Sequence, residues 1–285
     1  MSQAPPPDQA ELRADHEAVA RRLALFDFPW DTTQALSLAL FRTFAVPTIG
    51  RLLDETAEFT GRTQKRYDDT ALLLEVPLVE GLDSELGRAA IRQVNGMHRR
   101  HHISDDDMRY TLATFVVVPR RWIDAHGRRR LTDAEVAAAV GYYRALGARM
   151  GIRGVPETYD GFAALMNDYE TEHFAFDPSG RRVADATLAL MATFYPRALR
   201  PLVLRATRSM MDPPLLAALG YDEPGRLERR LVRGALRARG RAAGLLPARR
   251  RPAYVRDMPR IRSYPDGFTV EDLGTAPRGC PVRPH

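Results

Sequence analysis

Arg66-Tyr-Asp-Asp-Thr70 and Asn95-Gly-Met-His98 are the two stretches on which the reading of this chain turns. Apolar residues recur around both at three- and four-residue spacing, the helical period. Gly81-Leu-Asp83 stops a first helix at about 64–80 and separates it from a second at about 84–102. On the first, Arg66, Thr70, Leu73 and Pro77 follow an i, i+4, i+7, i+11 course and share one face, while Asp68, Asp69 and Glu75 point elsewhere. On the second, Ile91, Val94 and His98 share a face, and Arg92, Arg99 and Arg100 turn mainly away. At about 1.5 Å of rise per residue, Arg66 and His98 each stand roughly 22–26 Å from the Gly81 turn, hence at the same height. Polar side chains on the inward faces of a helical hairpin call for a polar guest or for partners of their own.

The helical period continues through most of residues 8–245 with almost no alternating β pattern, so the expected fold is all-α. Ser104 with Asp107 and Thr132 with Glu135 resemble capping boxes. Gly127 and Gly151–Pro156 end two further helices, and others are expected at about 158–174, 182–210 and 224–244, the long middle one bent near Pro196 and Pro201. Residues 1–8 read as a disordered N-terminus, 9–246 as a single helical domain, and 247–285, which holds seven prolines, as an extended Pro/Arg-rich arm that wraps the body.

The net charge of +6 is weak evidence for nucleic acid, because 36 acidic residues interleave with the basic ones and Lys65 is the single lysine among 42 Lys+Arg. Arginine has displaced lysine throughout, as coding in a GC-rich genome does, and no nucleic-acid partner is expected. A lone cysteine, Cys280, excludes an intramolecular disulfide framework and any cysteine-cluster metal site. The opening Met1–Pro7 shows neither a basic nor an apolar leader region, and no apolar run approaches the roughly 20 residues of a membrane span. A soluble, cytoplasmic chain is therefore expected. One basic amphipathic stretch, Gly220–Leu246, with Arg226, Arg229, Arg230, Arg233, Arg237, Arg239 and Arg241, is compatible with peripheral contact to anionic lipid or with a solvated face.

From spacing alone the hairpin leaves alternatives open. An inward histidine facing an inward arginine suits a haem, whose iron takes an imidazole ligand. A lone histidine on an apolar helix face is more often a core residue, and an inward arginine is usually half of an ion pair, here with Glu55 or Glu58. His101 and His102 are rival ligands, and Tyr169-Glu-Thr-Glu-His173 resembles a metal-binding fragment without matching a complete motif.

Four ordered segments carry a resemblance: Phe59-Thr-Gly-Arg-Thr-Gln-Lys-Arg-Tyr-Asp-Asp-Thr70, Ala90-Ile-Arg-Gln-Val-Asn-Gly-Met-His98, Ile103-Ser-Asp-Asp-Asp-Met-Arg-Tyr-Thr-Leu-Ala-Thr-Phe115 and Gly147-Ala-Arg-Met-Gly-Ile152. Over about 50–175 the chain resembles the oxygenase family that contains fungal MpaB and the bacterial rubber oxygenases called latex-clearing proteins. The resemblance implies a globin-related multi-helix bundle around one haem b, with dioxygen and a small apolar, unsaturated, isoprenoid-like molecule as substrates and oxidation or cleavage of a C=C bond as the reaction. Carried onto this sequence, it places the iron ligand at His98, the arginine and threonine beside the haem at Arg66 and Thr70, and a proton-accepting carboxylate at Glu58 in preference to Glu55. Asn95 falls in the same motif, as a residue orienting the ligand or a propionate. Asp69 stands where the rubber oxygenases have an iron-capping lysine, which leaves water, oxygen or the neighbouring Lys65 for that position. The alternatives are a haem carrier or sensor without catalysis and a basic helical nucleic-acid-binding protein.

Overall fold

The computed structural model describes residues 9–274. Residues 1–8 and the end of the arm, Cys280 with it, lie outside the described residues. No strand occurs among the described residues, so the fold is all-α as expected. The helices are α1 (Gln9–Arg22), α2 (Pro29–Phe44), α3 (Pro47–Glu55), α4 (Glu58–Gly61), α5 (Thr63–Glu80), α6 (Glu85–His98), α7 (Asp105–His126), α8 (Asp133–Arg149), α9 (Tyr159–His173), α10 (Pro178–Ala192), α11 (Arg200–Met210), α12 (Pro213–Ala218) and α13 (Arg226–Gly244). A π-helical turn over Leu23–Asp27 joins the first two.

Caps fix the ends. Ser84, Ser104, Thr132, Thr158, Asp177 and Asp212 each accept a backbone N–H of the first turn, which satisfies donors that a helix start otherwise leaves unpaired. The helix expected over 182–210 is two helices. Pro196 has no N–H and its ring collides with the carbonyl four residues back, so α10 ends at Ala192; α11 restarts with Pro201 in its first turn, where a missing N–H is harmless. Likewise α6 stops at His98, so His101 and His102 lie beyond the helix.

The centre is α2 packed on α7, flanked by α1 on α8 and α9 on α7, around Phe28, Tyr110, Val117, Phe162 and Met166. Helix α3 crosses α10 at glycines: a Cβ added to Gly180 would stand 2.2 Å from the Phe44 carbonyl oxygen, and one on Gly50 2.9 Å from the Gly180 Cα. Only two residues without side chains permit that approach.

The arm lies along α5 and α6. Val270 and Leu273 pack with Leu72, Leu73, Val76 and Ala90, flanked by Ile261, Tyr264 and Phe268. The three α5 carboxylates that point away from Arg66 are buried beneath it. Asp68 Oδ2 accepts from the Arg262 N–H (3.0 Å), the Ser263 N–H (2.9 Å) and the Ser263 hydroxyl (2.7 Å). Glu75 accepts the backbone N–H groups of Val255 and Arg256, and Asp69 takes Lys65 and the Tyr264 hydroxyl. Burial pushes the Asp69 and Glu75 carboxyls up, against the opposing pull of these donors.

Removing an acceptor of three buried donors is costly. Asp68→Ala is expected to destabilise the fold by about 2–4 kcal/mol and to expose the arm to protease. Arg182→Gln, which breaks the exposed pair with Asp54, is expected to change stability by less than about 1 kcal/mol, urea titration of both variants being the measurement.

Candidate functional site

The α5–α6 hairpin closes tightly. Gly81 (φ 99°) returns its N–H to the Pro77 carbonyl, and a Cβ on Gly87 would stand 2.0 Å from the Gly81 oxygen. With that register set, the inner faces of the two helices form one wall of a cavity of about 1080 Å³. Arg66, Thr70, Leu73, Pro77, Ile91, Val94 and His98, the seven residues that spacing turns inward, all line it. The opposite wall comes from α2, α3 and α4 (Phe44, Ile49, Leu52, Leu53, Phe59) and from α7 (Met108, Thr111, Leu112, Phe115). Its volume is slightly above the roughly 300–1,000 Å³ usual for ligand and cofactor sites.

His98 ends α6 with its Nδ1 buried and without a hydrogen-bond partner among the described residues. Burial first, then the charge of Arg66 and nearby His101, lowers its pKa from 6.5 to about 4, so the imidazole is neutral at pH 7. No carbonyl or carboxylate of the described residues meets that nitrogen. Arg66 is enclosed, and no ion pair engages it among the described residues. Its Nη1 donates to the Thr70 hydroxyl (2.5 Å), the guanidinium lies 5.1 Å from the Phe59 ring centroid, and burial lowers its pKa against the opposing charges of Asp69 and Glu58. The Thr70 hydroxyl in turn donates to the Arg66 carbonyl (2.7 Å).

Glu58 lines the cavity but pairs with Arg62, one turn on, so the expected Arg66 partner is engaged elsewhere. Glu55 lines the rim as well. Two expected site residues are not in the set. Lys65, offset by one residue from the inner face, directs its amine to Asp69 (3.0 Å), the Tyr264 hydroxyl (2.7 Å) and the Asp272 and Gly274 carbonyls. Asn95 donates to the Arg149 carbonyl on α8 (3.0 Å) and so braces α6 from outside. Asp69 also faces the arm, so position 69 presents no side chain to the cavity.

Sequence reading missed a polar corner. Asp107 accepts from Thr48 (2.9 Å) and from the Tyr169 hydroxyl (2.8 Å); the Tyr169 ring lies 4.1 Å from that of His173, and all four line the cavity. Tyr169 and His173 belong to the fragment that resembled a metal motif, whose Glu170 instead pairs with Arg42. Phe115 lines the large cavity; Tyr142 and Tyr143 line a smaller one of about 130 Å³, and Trp122, Phe162 and Met166 are core.

Residues 26–243 match the model of the catalytic domain of ER-bound oxygenases mpaB/B′ and rubber oxygenases. The chain is 31% identical over 230 residues to ER-bound oxygenase mpaB′ of Penicillium brevicompactum, with 74% of this chain and 54% of that one covered. It is 31% identical over 229 residues to ER-bound oxygenase mpaB of Penicillium roqueforti, with 73% and 77% covered. The chain thus spans about half the length of the first relative. Its fold matches latex clearing protein LCP in the closed state at a TM-score of 0.58 and 16% identity, over 86% of this chain and 71% of that one. The chain belongs to the mpaB/rubber oxygenase family.

One expectation is overturned by these relatives. They are named ER-bound, and the cytoplasmic assignment from the opening residues is withdrawn. No single described helix is long and apolar enough to cross a membrane; α2 and α3 pass that test only as a pair bent by 97°.

The sign of the pH effect in the cofactor-free chain follows from His98. Its folded pKa of about 4 lies below the ordinary 6.5, so the unfolded chain takes up the proton first and stability is lost as pH falls from about 6.5 to about 4. The loss attributable to His98 is expected to reach about 3 kcal/mol, with His126 adding in the same direction, and His98→Leu is expected to flatten it in urea titrations across that range.

Proposed function

We propose that this chain is a haem b-dependent oxygenase that binds its cofactor in the α5–α6 cavity with His98 as the iron ligand, and that it oxidises or cleaves a C=C bond of an apolar, isoprenoid-like substrate. One observation carries the reading: a neutral imidazole whose buried Nδ1 meets no partner among the described residues, facing a large, mostly apolar cavity beside an arginine that no described carboxylate pairs with. A buried polar atom left without a partner costs roughly 1–3 kcal/mol, which coordination would repay. Arg66 offers donors to an anionic group such as a propionate, and the apolar walls exclude water from a planar macrocycle. The residues present therefore fit the group.

When bound, haem iron supplies the binding and activation of dioxygen. The chain's own residues do the rest. The neutral His98 offers a nitrogen lone pair at pH 7 without first losing a proton. The Thr70 hydroxyl gives its proton to the Arg66 carbonyl and receives one from the guanidinium, so it acts as a positioning residue that holds Arg66. Arg66 presents its remaining N–H groups where charge develops, inside walls that leave the charge poorly screened. Glu58, held by Arg62 and lining the cavity, would take the allylic proton of a bound alkene as the C–H electron pair forms a shifted C=C and the original C=C pair bonds to oxygen. Phe59, Phe115, Leu52 and Met108 supply apolar surface for such a chain.

Haem titrated into the purified full chain is expected to give an intense Soret band. That band should be lost in His98→Ala and retained in His101→Ala and His102→Ala; its retention in His98→Ala would remove the ligand assignment. Arg66→Ala is expected to keep part of the haem while alkene-dependent oxygen uptake falls about 100-fold or more, with Glu58→Gln showing a loss of about 10-fold. A Soret band without alkene-dependent oxygen uptake in the parent chain would point to a carrier or sensor instead.

A further inference from the structure

Helix α13 is fixed to the body by one side only. Leu236 packs on the core, Arg239 pairs with Asp31 (2.7 Å), Arg229 donates to the Met211 carbonyl (3.2 Å), and Gly240 abuts the His126 and Gly127 carbonyls. The opposite side has two stripes. Arg226, Arg230, Arg233, Arg237 and Arg241 follow i, i+4, i+7, i+11, i+15, are exposed, and engage no carboxylate among the described residues. Beside them run Leu227, Leu231, Ala238 and Ala242, with Leu227 70% and Leu231 64% exposed.

Helix α11 packs against α13. Its Arg205 pairs with Glu228 (2.7 Å), and Leu202, one turn earlier, is 63% exposed. Leu245, just beyond α13, is 89% exposed. Single exposed leucines are ordinary, but a run of them along one helix face, bordered by unpaired arginines, marks an interaction surface.

We propose that the α11–α13 face docks on an anionic lipid bilayer, with the leucines entering the headgroup–acyl boundary and the arginines held at the lipid phosphates. Charge complementarity selects that partner, and the leucines separate it from nucleic acid: phosphate contacts gain nothing from leucine side chains, whereas an interfacial helix is stabilised by both stripes. Arginine also suits the boundary because its stem lies along apolar surface while its fork reaches bidentate phosphate oxygens. This inference does not depend on the haem reading, and it is measured without cofactor or substrate.

The test is co-sedimentation of the full chain with vesicles of phosphatidylcholine alone or with one third phosphatidylglycerol. Binding is expected to the mixed vesicles, to weaken as salt is raised, and to be weak on phosphatidylcholine alone. Arg226→Gln/Arg230→Gln/Arg237→Gln is expected to lower affinity for the mixed vesicles about 100-fold, from ~1 kcal/mol per basic residue. Leu227→Ser/Leu231→Ser is expected to lower it about 10-fold or more. Both variants alter exposed positions, and unchanged circular dichroism confirms their fold. Equal binding to the two vesicle types, undiminished binding by the leucine variant, or tighter binding to duplex DNA than to vesicles would overturn the proposal. So would a concentration-dependent dimer that Leu227→Ser/Leu231→Ser abolishes.

Discussion

Burial of α5 on both sides is the constraint on which the site depends. A helix carrying Gln64, Lys65, Arg66, Asp68, Asp69, Thr70 and Glu75 in three turns would ordinarily lie at the surface. Here the arm crosses its outer face and supplies backbone N–H groups to Asp68 and Glu75, and a tyrosine hydroxyl to Asp69. These bonds offset the desolvation of three carboxylates, and they leave Arg66 and Thr70 to face the cavity. Were α5 free to turn by one residue, Lys65 or Tyr67 would take the place of Arg66. The arm therefore fixes which side chain enters the site.

Inside, two groups are held in states that water would not favour. His98 stays neutral because burial and the Arg66 charge oppose protonation, and Arg66 meets no anion among the described residues because Glu58 is taken by Arg62 and Asp69 by Lys65. A pocket that keeps a lone pair and a cation uncompensated is poised for a guest that satisfies both. The same arithmetic explains why Thr70 belongs to the arginine and not to the guest: its single proton is already donated.

The hairpin was legible because its signal is local: helical spacing assigns seven inward residues, and Gly81-Leu-Asp83 marks the turn. The all-α class follows from the same periodicity. What spacing could not reveal is tertiary. Lys65 and Asn95 adjoin the inner face on a helical wheel, and only the position of the arm and of α8 shows that they serve those neighbours. Asp107, Thr48 and Tyr169 come from α7, α3 and α9, far apart in sequence, with no motif to join them. The break between α10 and α11 was readable at Pro196, whose effect there is a stop and not a bend.

The proposed haem site depends on the imidazole at position 98. Replacing it by glycine leaves a void at the end of α6 that free imidazole can enter, so haem binding to His98→Gly, followed by absorption with and without added imidazole, tests the claim directly. The band is expected to be lost on substitution and restored as imidazole is added. A full band in His98→Gly without imidazole would contradict it.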